Sequence, residues 1–435
     1  MSYSDATAFL EELGIDAMKS MAPSLHRMKA LCEVLDHPEQ KLKAIHITGT
    51  NGKTSTARLA ASILSATGLS VGTYTSPHLQ TIRERIALNG EPIAEEEFGD
   101  AFDHLHHFLS VVERDLDEKL TFFEVLTGMF FLWAAETVDV AVVEVGLGGR
   151  WDATNLMDGA VAVVTNVGLD HTKLLGDDPV TIAKEKAGII KPGRTAVTGE
   201  RKPDVLAVIQ EQADAAGVAA ARLGRDFEVT ENRLAVGGRY LSMRSGERSH
   251  DHLYVPLHGS HQAVNAAVAI EAVGAFLPHA SLDEGVINEG LGRTMVPGRL
   301  ETVPSADGPP VVLDVAHNPE GTSALITSLV EAFAFDSITF VVGILGDKDH
   351  QGMFTELSRV PCYVIATEPK TVRAVPVGEL EADAHSTGLE CETVEDVAHA
   401  LKVARDRTSE NGLVCVTGSH YVVGEARTAM LGPVR

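Results

Sequence analysis

Short apolar runs alternate with helically spaced stretches along most of the chain. Leu42 to Thr48 (LKAIHIT) is an apolar run ending in a glycine-rich turn, and Lys53 to Ala66 behind it reads as a helix. Val71 to Thr75, Val138 to Val145 and Val161 to Asn166 are further buried-strand candidates, with helical patterns at Glu95 to Val112 and Phe122 to Glu136 between them. Strands alternating with helices predict a parallel sheet covered on both faces. Between about Asp226 and Pro256 the pattern turns hairpin-like, an antiparallel flap on this first unit. A second α/β series follows Pro297-Gly298, a pair that continues no element comfortably and so marks a hinge. It comprises strands at Val311 to Val315, Ser337 to Gly343, Cys362 to Ala366 and Leu413 to Thr417, with helices at Gly321 to Ala334 and Val394 to Arg405. The expectation is an α/β protein with one domain over 1–297 and a smaller α/β domain over 298–435.

Length supports the division, because 435 residues exceed what one core usually organises. The longest apolar stretch, Gly128 to Ala135, is too short to cross a bilayer, and the first twenty residues lack a basic start followed by an apolar run. A cytoplasmic monomer with no membrane partner is expected. A formal net charge of −25 excludes nucleic acid as a partner, since binding phosphates at scale needs a basic surface. ATP remains open, because a few converging cations and N–H groups suffice for it. The four cysteines lack paired short spacing, which argues against disulfides or zinc.

Gly49-Thr50-Asn51-Gly52-Lys53-Thr54 stands where strand passes into helix. Its glycines let successive N–H groups turn towards one anion, and the helix start adds partial positive charge. Lys53 can reach β/γ-phosphate oxygens, and the Thr54 hydroxyl a magnesium ion. The longer GxxxxGK[ST] pattern would need glycine at position 47, which is Ile47. A phosphate loop alone serves a kinase, a GTP-driven switch or a ligase equally well.

Polar groups gather at other strand ends. Glu144 closes the apolar run VAVVEVG and needs a partner, for which magnesium is suited. Asp170-His171 follows AVAVVTNVGL, and Ser76 closes VGTYTS. Ligands of open α/β sheets bind at these carboxyl ends, and Thr54, Ser76, Glu144 and His171 converging there would suit a metal–phosphate site. Pro179 to Lys191 is a short helix bearing Lys184 and Lys186 near its end. Chemistry alone reads these lysines as a solvated basic terminus.

In order, the strings HITGTNGKTS, TSPHLQTIRERI, TFFEVLTGMFF, EVGLGGRWDATN, VGLDHTKLLGD, IAKEKAGIIKPG, HQAVNAAVAIEA, PGRLE, LDVAHNPEG and VTGSHYVVGEAR resemble the Mur-ligase superfamily, specifically its folylpolyglutamate synthase/dihydrofolate synthase branch. The resemblance runs from about residue 40 to the C-terminus. Thr54-Ser55 stands where many members have Gly-Ser, and Trp151 where Leu is common; neither removes a required group. The resemblance implies a Mur-ligase-like fold: a P-loop-containing parallel-sheet ATP-binding domain plus the smaller C-terminal α/β domain. It implies that Gly49 to Thr54 cradle ATP, with Asn265 at the adenine and Arg299 and Asp314 on the nucleotide from the hinge and second domain. Ser76, Glu144 and His171 would join Thr54 in holding Mg2+, two ions in all. Lys186 matches the family's carbamylated lysine, and His317 a residue associated with the reaction, alongside Lys53. Thr121, Phe122, Phe123 and Glu124, with Trp151, Asp152 and Ala153, would line the pterin end, where flat aromatics suit stacking.

The implied reaction transfers the γ-phosphoryl of ATP to a carboxylate of dihydropteroate or a folate, and L-glutamate then attacks the acyl phosphate. Two rivals share parts of the pattern. A cell-wall Mur ligase would not explain TFFE and TSPHL, and a nucleotide-dependent binding protein without turnover would not explain Lys186 or DVAHNP.

Overall fold

A computed structural model describes residues 1–14, 24–277, 282–303 and 308–434. Its largest sheet has eight strands: β1 (Ala44–Thr48), β2 (Val71–Tyr74), β3 (Ile86–Leu88), β4 (Glu91–Pro92), β5 (Val140–Glu144), β6 (Val161–Val164), β7 (Thr195–Thr198) and β8 (Ala220–Arg222). The order is β4-β3-β2-β5-β1-β6-β7-β8. Six strands are parallel, and β3 and β4 form an antiparallel edge hairpin. Asn89 and Gly90 both take positive φ in that hairpin's turn, which suits the right-handed twist of the flanking strands.

The central strands are apolar on both faces because both are covered. Ile45, Ile47, Val142 and Val163 pack with Leu59, Ile63 and Val268 on one side. Ala44, Tyr74 and Val143 pack with Met129, Phe130 and Phe102 on the other. The helices responsible are Lys53–Ala66 and His261–Phe276 on the first face, and Glu95–Leu116 and Phe122–Thr137 on the second. Each fully buried aliphatic or aromatic side chain contributes roughly 1.5–3 kcal/mol, so the layers hold the strand ends rigidly.

The hairpin-like stretch folds as an antiparallel sheet of β9 (Phe227–Ala235), β10 (Gly238–Ser245) and β11 (Arg248–Val255), with β10 central. The C-terminal α/β domain has β12 (Glu301–Val303), β13 (Val311–Leu313), β14 (Ile338–Val342), β15 (Cys362–Ala366), β16 (Glu390–Thr393) and β17 (Leu413–Thr417). Their order is β12-β13-β17-β14-β15-β16, all parallel except β12. The fold class thus matches the expectation. The four cysteines are free thiols, and no helix among the described residues is long and apolar enough to cross a membrane.

Candidate active site

The phosphate loop leaves β1 and enters the Lys53–Ala66 helix through Gly52, whose φ of 81° is left-handed. No side chain caps this helix, so its first N–H groups stay open towards a ligand. A Cβ on Gly52 would lie 2.5 Å from Asn265 Oδ1, and one on Gly49 only 1.8 Å from Thr165 Oγ1. Both glycines are therefore required by close neighbours as well as by turning.

The loop is held in shape by the segment after β6. Thr50 N donates to Asn166 O, and Asn51 N to Asn166 Oδ1, both at 2.9 Å. Thr165 Oγ1 donates to Asn51 O at 2.7 Å, and Gly168 N to Thr50 Oγ1 at 2.9 Å. Sequence reading missed Thr165, Asn166 and Gly168, although Thr-Asn directly after an apolar strand was a usable signal.

Glu144 is buried at the end of β5. Thr54 Oγ1 lies 3.1 Å from each of its oxygens, and Ser76 N donates to Oε2 at 3.3 Å. Burial raises the Glu144 pKa, opposed chiefly by Lys53. Lys53 Nζ donates to Thr50 O at 3.2 Å, and burial lowers its pKa against the pull of Glu144 and Asp170. Thr54, Ser76, Glu144 and Lys53 thus come together, with Ser76 presenting its backbone N–H to the carboxylate.

Lys186 departs from the solvated reading: Lys184 is exposed, but Lys186 is 4% exposed. Its Nζ donates to Gly49 O at 2.8 Å, beneath the phosphate loop. Burial, reinforced by nearby Lys53, lowers its pKa to about 7. His171 stands apart. It faces Asp170, with Nε2 3.9 Å from Oδ1, and burial lowers its pKa to about 4.

Hard oxygen donors suit magnesium, and the Thr54 hydroxyl and Glu144 carboxylate supply them side by side. Among the described residues no cluster of three His, Cys, Asp or Glu side chains surrounds one point, so protein donors alone do not enclose an ion. That composition fits Mg2+, which keeps water and phosphate oxygens in its shell.

The C-terminal domain closes over this site. Lys348 Nζ pairs with Asp170 Oδ1 at 2.6 Å, both nearly buried, and Asn318 Nδ2 and His317 Nε2 lie 3.4 Å from Asp170 Oδ2. Despite the cost of burial, His317, His171 and Lys348 hold the Asp170 carboxyl far below the ordinary carboxylate range. His317 Nδ1 donates to Val315 O at 2.8 Å, and its Nε2 faces Asp170. Asn51 Nδ2 donates to Glu320 Oε2 at 3.1 Å. Lys348 and Glu320 had no local sequence signal. Asp314 is turned inward, accepting from Leu300 N and Ala316 N at 2.9 Å, and so pins the turn that carries Arg299. Arg299 sits within electrostatic reach of both Asp314 and Glu144. Leu79 of the TSPHL string meets Gly424 so closely that a Cβ there would lie 2.0 Å from Leu79 O.

The proposed acceptor side divides into packing and exposed groups. Thr121 and Glu124 form a capping box, and Glu124 also pairs with buried Arg27 at 3.0 Å. Phe122 belongs to the core, with the Arg85 guanidinium 5.1 Å from its ring centroid, and Ala153 is buried in the same core. Phe123 lies against Gly146, where a Cβ would meet its ring at 2.5 Å. Asp152 is spent on its own loop, accepting from Leu147 N at 2.9 Å and Thr154 N at 3.0 Å. Trp151 alone of these aromatics is 49% exposed.

Comparison with known proteins agrees along the chain. Residues 47–273 match the Mur ligase middle domain, and residues 298–420 the Mur ligase glutamate ligase domain. The dihydrofolate synthase/folylpolyglutamate synthase of Mycobacterium tuberculosis is 37% identical, over 93% of this chain and 90% of that one. The folylpolyglutamate synthase of Lacticaseibacillus casei is 35% identical over 99% of both. Among solved structures, Mycobacterium tuberculosis folylpolyglutamate synthase complexed with ADP has a TM-score of 0.92 at 36% identity, covering 99% of this chain and 98% of that one. E. coli FolC in complex with DHPP and ADP has a TM-score of 0.85 at 29% identity, covering 98% and 96%. With agreement this continuous, the chain belongs to the dihydrofolate synthase/folylpolyglutamate synthase family of Mur ligases.

Proposed function

We propose that this ATP-dependent folate glutamate ligase adds L-glutamate both to dihydropteroate and to the γ-carboxylate of folates, through an acyl phosphate. The observation that carries the reading is the meeting of Lys53, Glu144 and the phosphate loop with Asp170, His317 and Lys348 where the two domains close. The ADP complex of the M. tuberculosis relative and the DHPP–ADP complex of the E. coli one support it.

An oxygen of the acceptor carboxylate attacks the γ-phosphorus of ATP, and the bond to the β–γ bridging oxygen breaks, releasing ADP. The glutamate amine then attacks the acyl carbon and loses a proton as phosphate departs. Lys53 and the uncapped helix start oppose charge on the transferring phosphoryl, and Arg299 reaches the nucleotide from the hinge. Asn265 and Asp314 complete the nucleotide site, the latter by holding the Arg299 turn. His317, with Nε2 directed at Asp170, would take part in the reaction from the C-terminal domain. Phe123 and Trp151 are the aromatics best placed to take a pterin, with Thr121, Phe122, Glu124, Asp152 and Ala153 shaping the wall behind them. Closure of the C-terminal domain keeps water from the acyl phosphate.

Magnesium, when bound, neutralises phosphate oxygens. Thr54, Ser76 and Glu144 would hold one ion at the phosphates; Glu144, His171 and a Lys186 carbamate would serve a second. Burial prepares Lys186 for that modification, because the neutral amine attacks carbon dioxide and releases a proton to give an anionic carbamate. We place the domain boundary at Pro297-Gly298 and expect a cytoplasmic monomer without nucleic-acid or membrane partners.

The test supplies dihydropteroate and tetrahydrofolate separately, with ATP and labelled glutamate, and identifies the products. Label in both products is expected. Label in one alone would overturn the dual activity, and label in neither the substrate assignment.

A further inference from the structure

The antiparallel sheet β9–β11 lies outside the chemistry, yet it buries a charge at the boundary between the domains. Arg239 on β10 is 2% exposed. It makes a bidentate pair with Glu331, Nη1 to Oε2 at 2.8 Å and Nη2 to Oε1 at 3.0 Å. Its Nε donates to Asn232 Oδ1 at 2.5 Å, and Asn232 Nδ2 to Ser260 O at 3.0 Å. Ser260 opens the His261–Phe276 helix, whose Asn265 rests against Gly52 of the phosphate loop. Glu331 lies near the end of the Pro319–Ala332 helix of the C-terminal domain. At the start of that helix, Glu320 and Asn318 bond Asn51, the residue next to Gly52 in the same loop.

One helix of 14 residues, about 21 Å long, is therefore tied at its start directly to Asn51 of the phosphate loop and at its end, through Arg239 and Asn232, to the start of the helix whose Asn265 packs against Gly52. Neighbouring contacts follow the same path: the rings of His258 and Phe333 are 5.1 Å apart, and a Cβ on Gly259 would lie 2.9 Å from Ser328 Oγ. An ion pair with only one partner buried, Glu331 being open to solvent, adds little stability. What its fixed fork geometry does provide is a single orientation.

We propose that the three-stranded sheet is a brace that sets the angle of the C-terminal domain over the phosphate loop, with Arg239 as its positioning residue. The brace holds the closed arrangement in which the acyl phosphate meets glutamate before water; this consequence rests on the ligase reading above. Arg239 touches no reacting atom and acts through the Pro319–Ala332 helix.

The test uses full-length enzyme with Glu331→Gln, which keeps shape on a partly exposed residue, and Arg239→Lys, which keeps charge without the bidentate fork. Two readouts are taken with ADP or ATP present: the radius of gyration by small-angle scattering, and phosphate released per glutamate incorporated. Glu331→Gln should enlarge the radius of the ADP-bound enzyme and raise the phosphate-to-glutamate ratio about threefold or more, as closure loosens. Arg239→Lys should fall between it and the wild type, with ADP affinity unchanged in both. Variants that only lose melting temperature, while keeping the wild-type radius and ratio, would overturn the brace. If the wild type itself incorporates no glutamate, the ligase reading fails, and the scattering comparison still decides the brace.

Discussion

Replacing Lys186 by Met should abolish ligation and yet stabilise the protein at low pH. The amine is buried against Gly49 O, with its pKa brought from 10.5 to about 7 by desolvation. The unfolded chain then binds more protons than the folded one between these values, so the wild type gains stability as pH rises through that window. The burial cost is about 5 kcal/mol at pH 6, about 2 kcal/mol at pH 9, and below about 0.5 kcal/mol at pH 10.5. Met removes this cost but leaves the Gly49 carbonyl without its donor, a loss of about 1–3 kcal/mol. The Met variant should therefore melt higher than wild type at pH 6, and the difference should reverse at about pH 9. The assay is thermal unfolding of both proteins across pH 6 to 10 in carbon-dioxide-free, metal-free buffer. A melting difference independent of pH would refute the buried-amine argument, whatever the effect on activity.

Lys186→Ala should lose activity and recover part of it with added acetate, a carboxylate standing in for the carbamate, while Lys184→Ala on the exposed side stays near wild type in steady-state assays. Lys53→Ala should lower kcat at least about a hundredfold with the circular-dichroism spectrum intact, since it removes a charge facing the transferring phosphoryl. Arg299→Ala should raise KM for ATP more than KM for the pterin acceptor; equal effects on both would count against clamping from the hinge. Phe122→Ala should cost about 3–5 kcal/mol of stability as a core deletion, whereas exposed Trp151→Ala should stay within about 0.5 kcal/mol and act on acceptor KM instead.

The elements were legible where local pattern and tertiary burial agree. The Lys53–Ala66 helix and the strands Cys362–Ala366 and Leu413–Thr417 have the limits that periodicity predicts. Val138 to Val145 reads longer than the observed Val140–Glu144, because Val138 ends the preceding helix as its cap and Val145 begins the turn to the site. The phosphate loop was legible because its chemistry is contiguous. Lys186 was legible only through the family resemblance: its helix ends with two lysines of equal local character, and only packing beneath Gly49 separates the buried one from the exposed one. Glu124 shows the opposite case. Its place in TFFE suggested a ligand wall, while its oxygens hold Arg27 Nε and Thr121 N, an arrangement that also keeps the helix start in place. Asp170 and Lys348 are 178 positions apart, and no periodicity connects residues that meet only when two domains close.

The sign of the site could not be read from the charge of the whole. A formal charge of −25 describes a surface facing water, where each carboxylate is screened within about 10 Å at ordinary salt. At the phosphate loop the groups are few and sheltered: Lys53, Arg299 and Lys348 are brought from three distant segments, each within electrostatic reach of a carboxylate. Such pairs are costly to assemble and weak as sources of stability, which argues that they were not placed to hold the fold together. On the proposed mechanism their usefulness lies in being fixed before ATP arrives, so that little reorganisation is needed when charge moves from nucleotide to acceptor. The acidic exterior leaves this interior largely unaffected, because screening and distance remove the surface charges from its field. Net charge therefore had no bearing on whether ATP binds here.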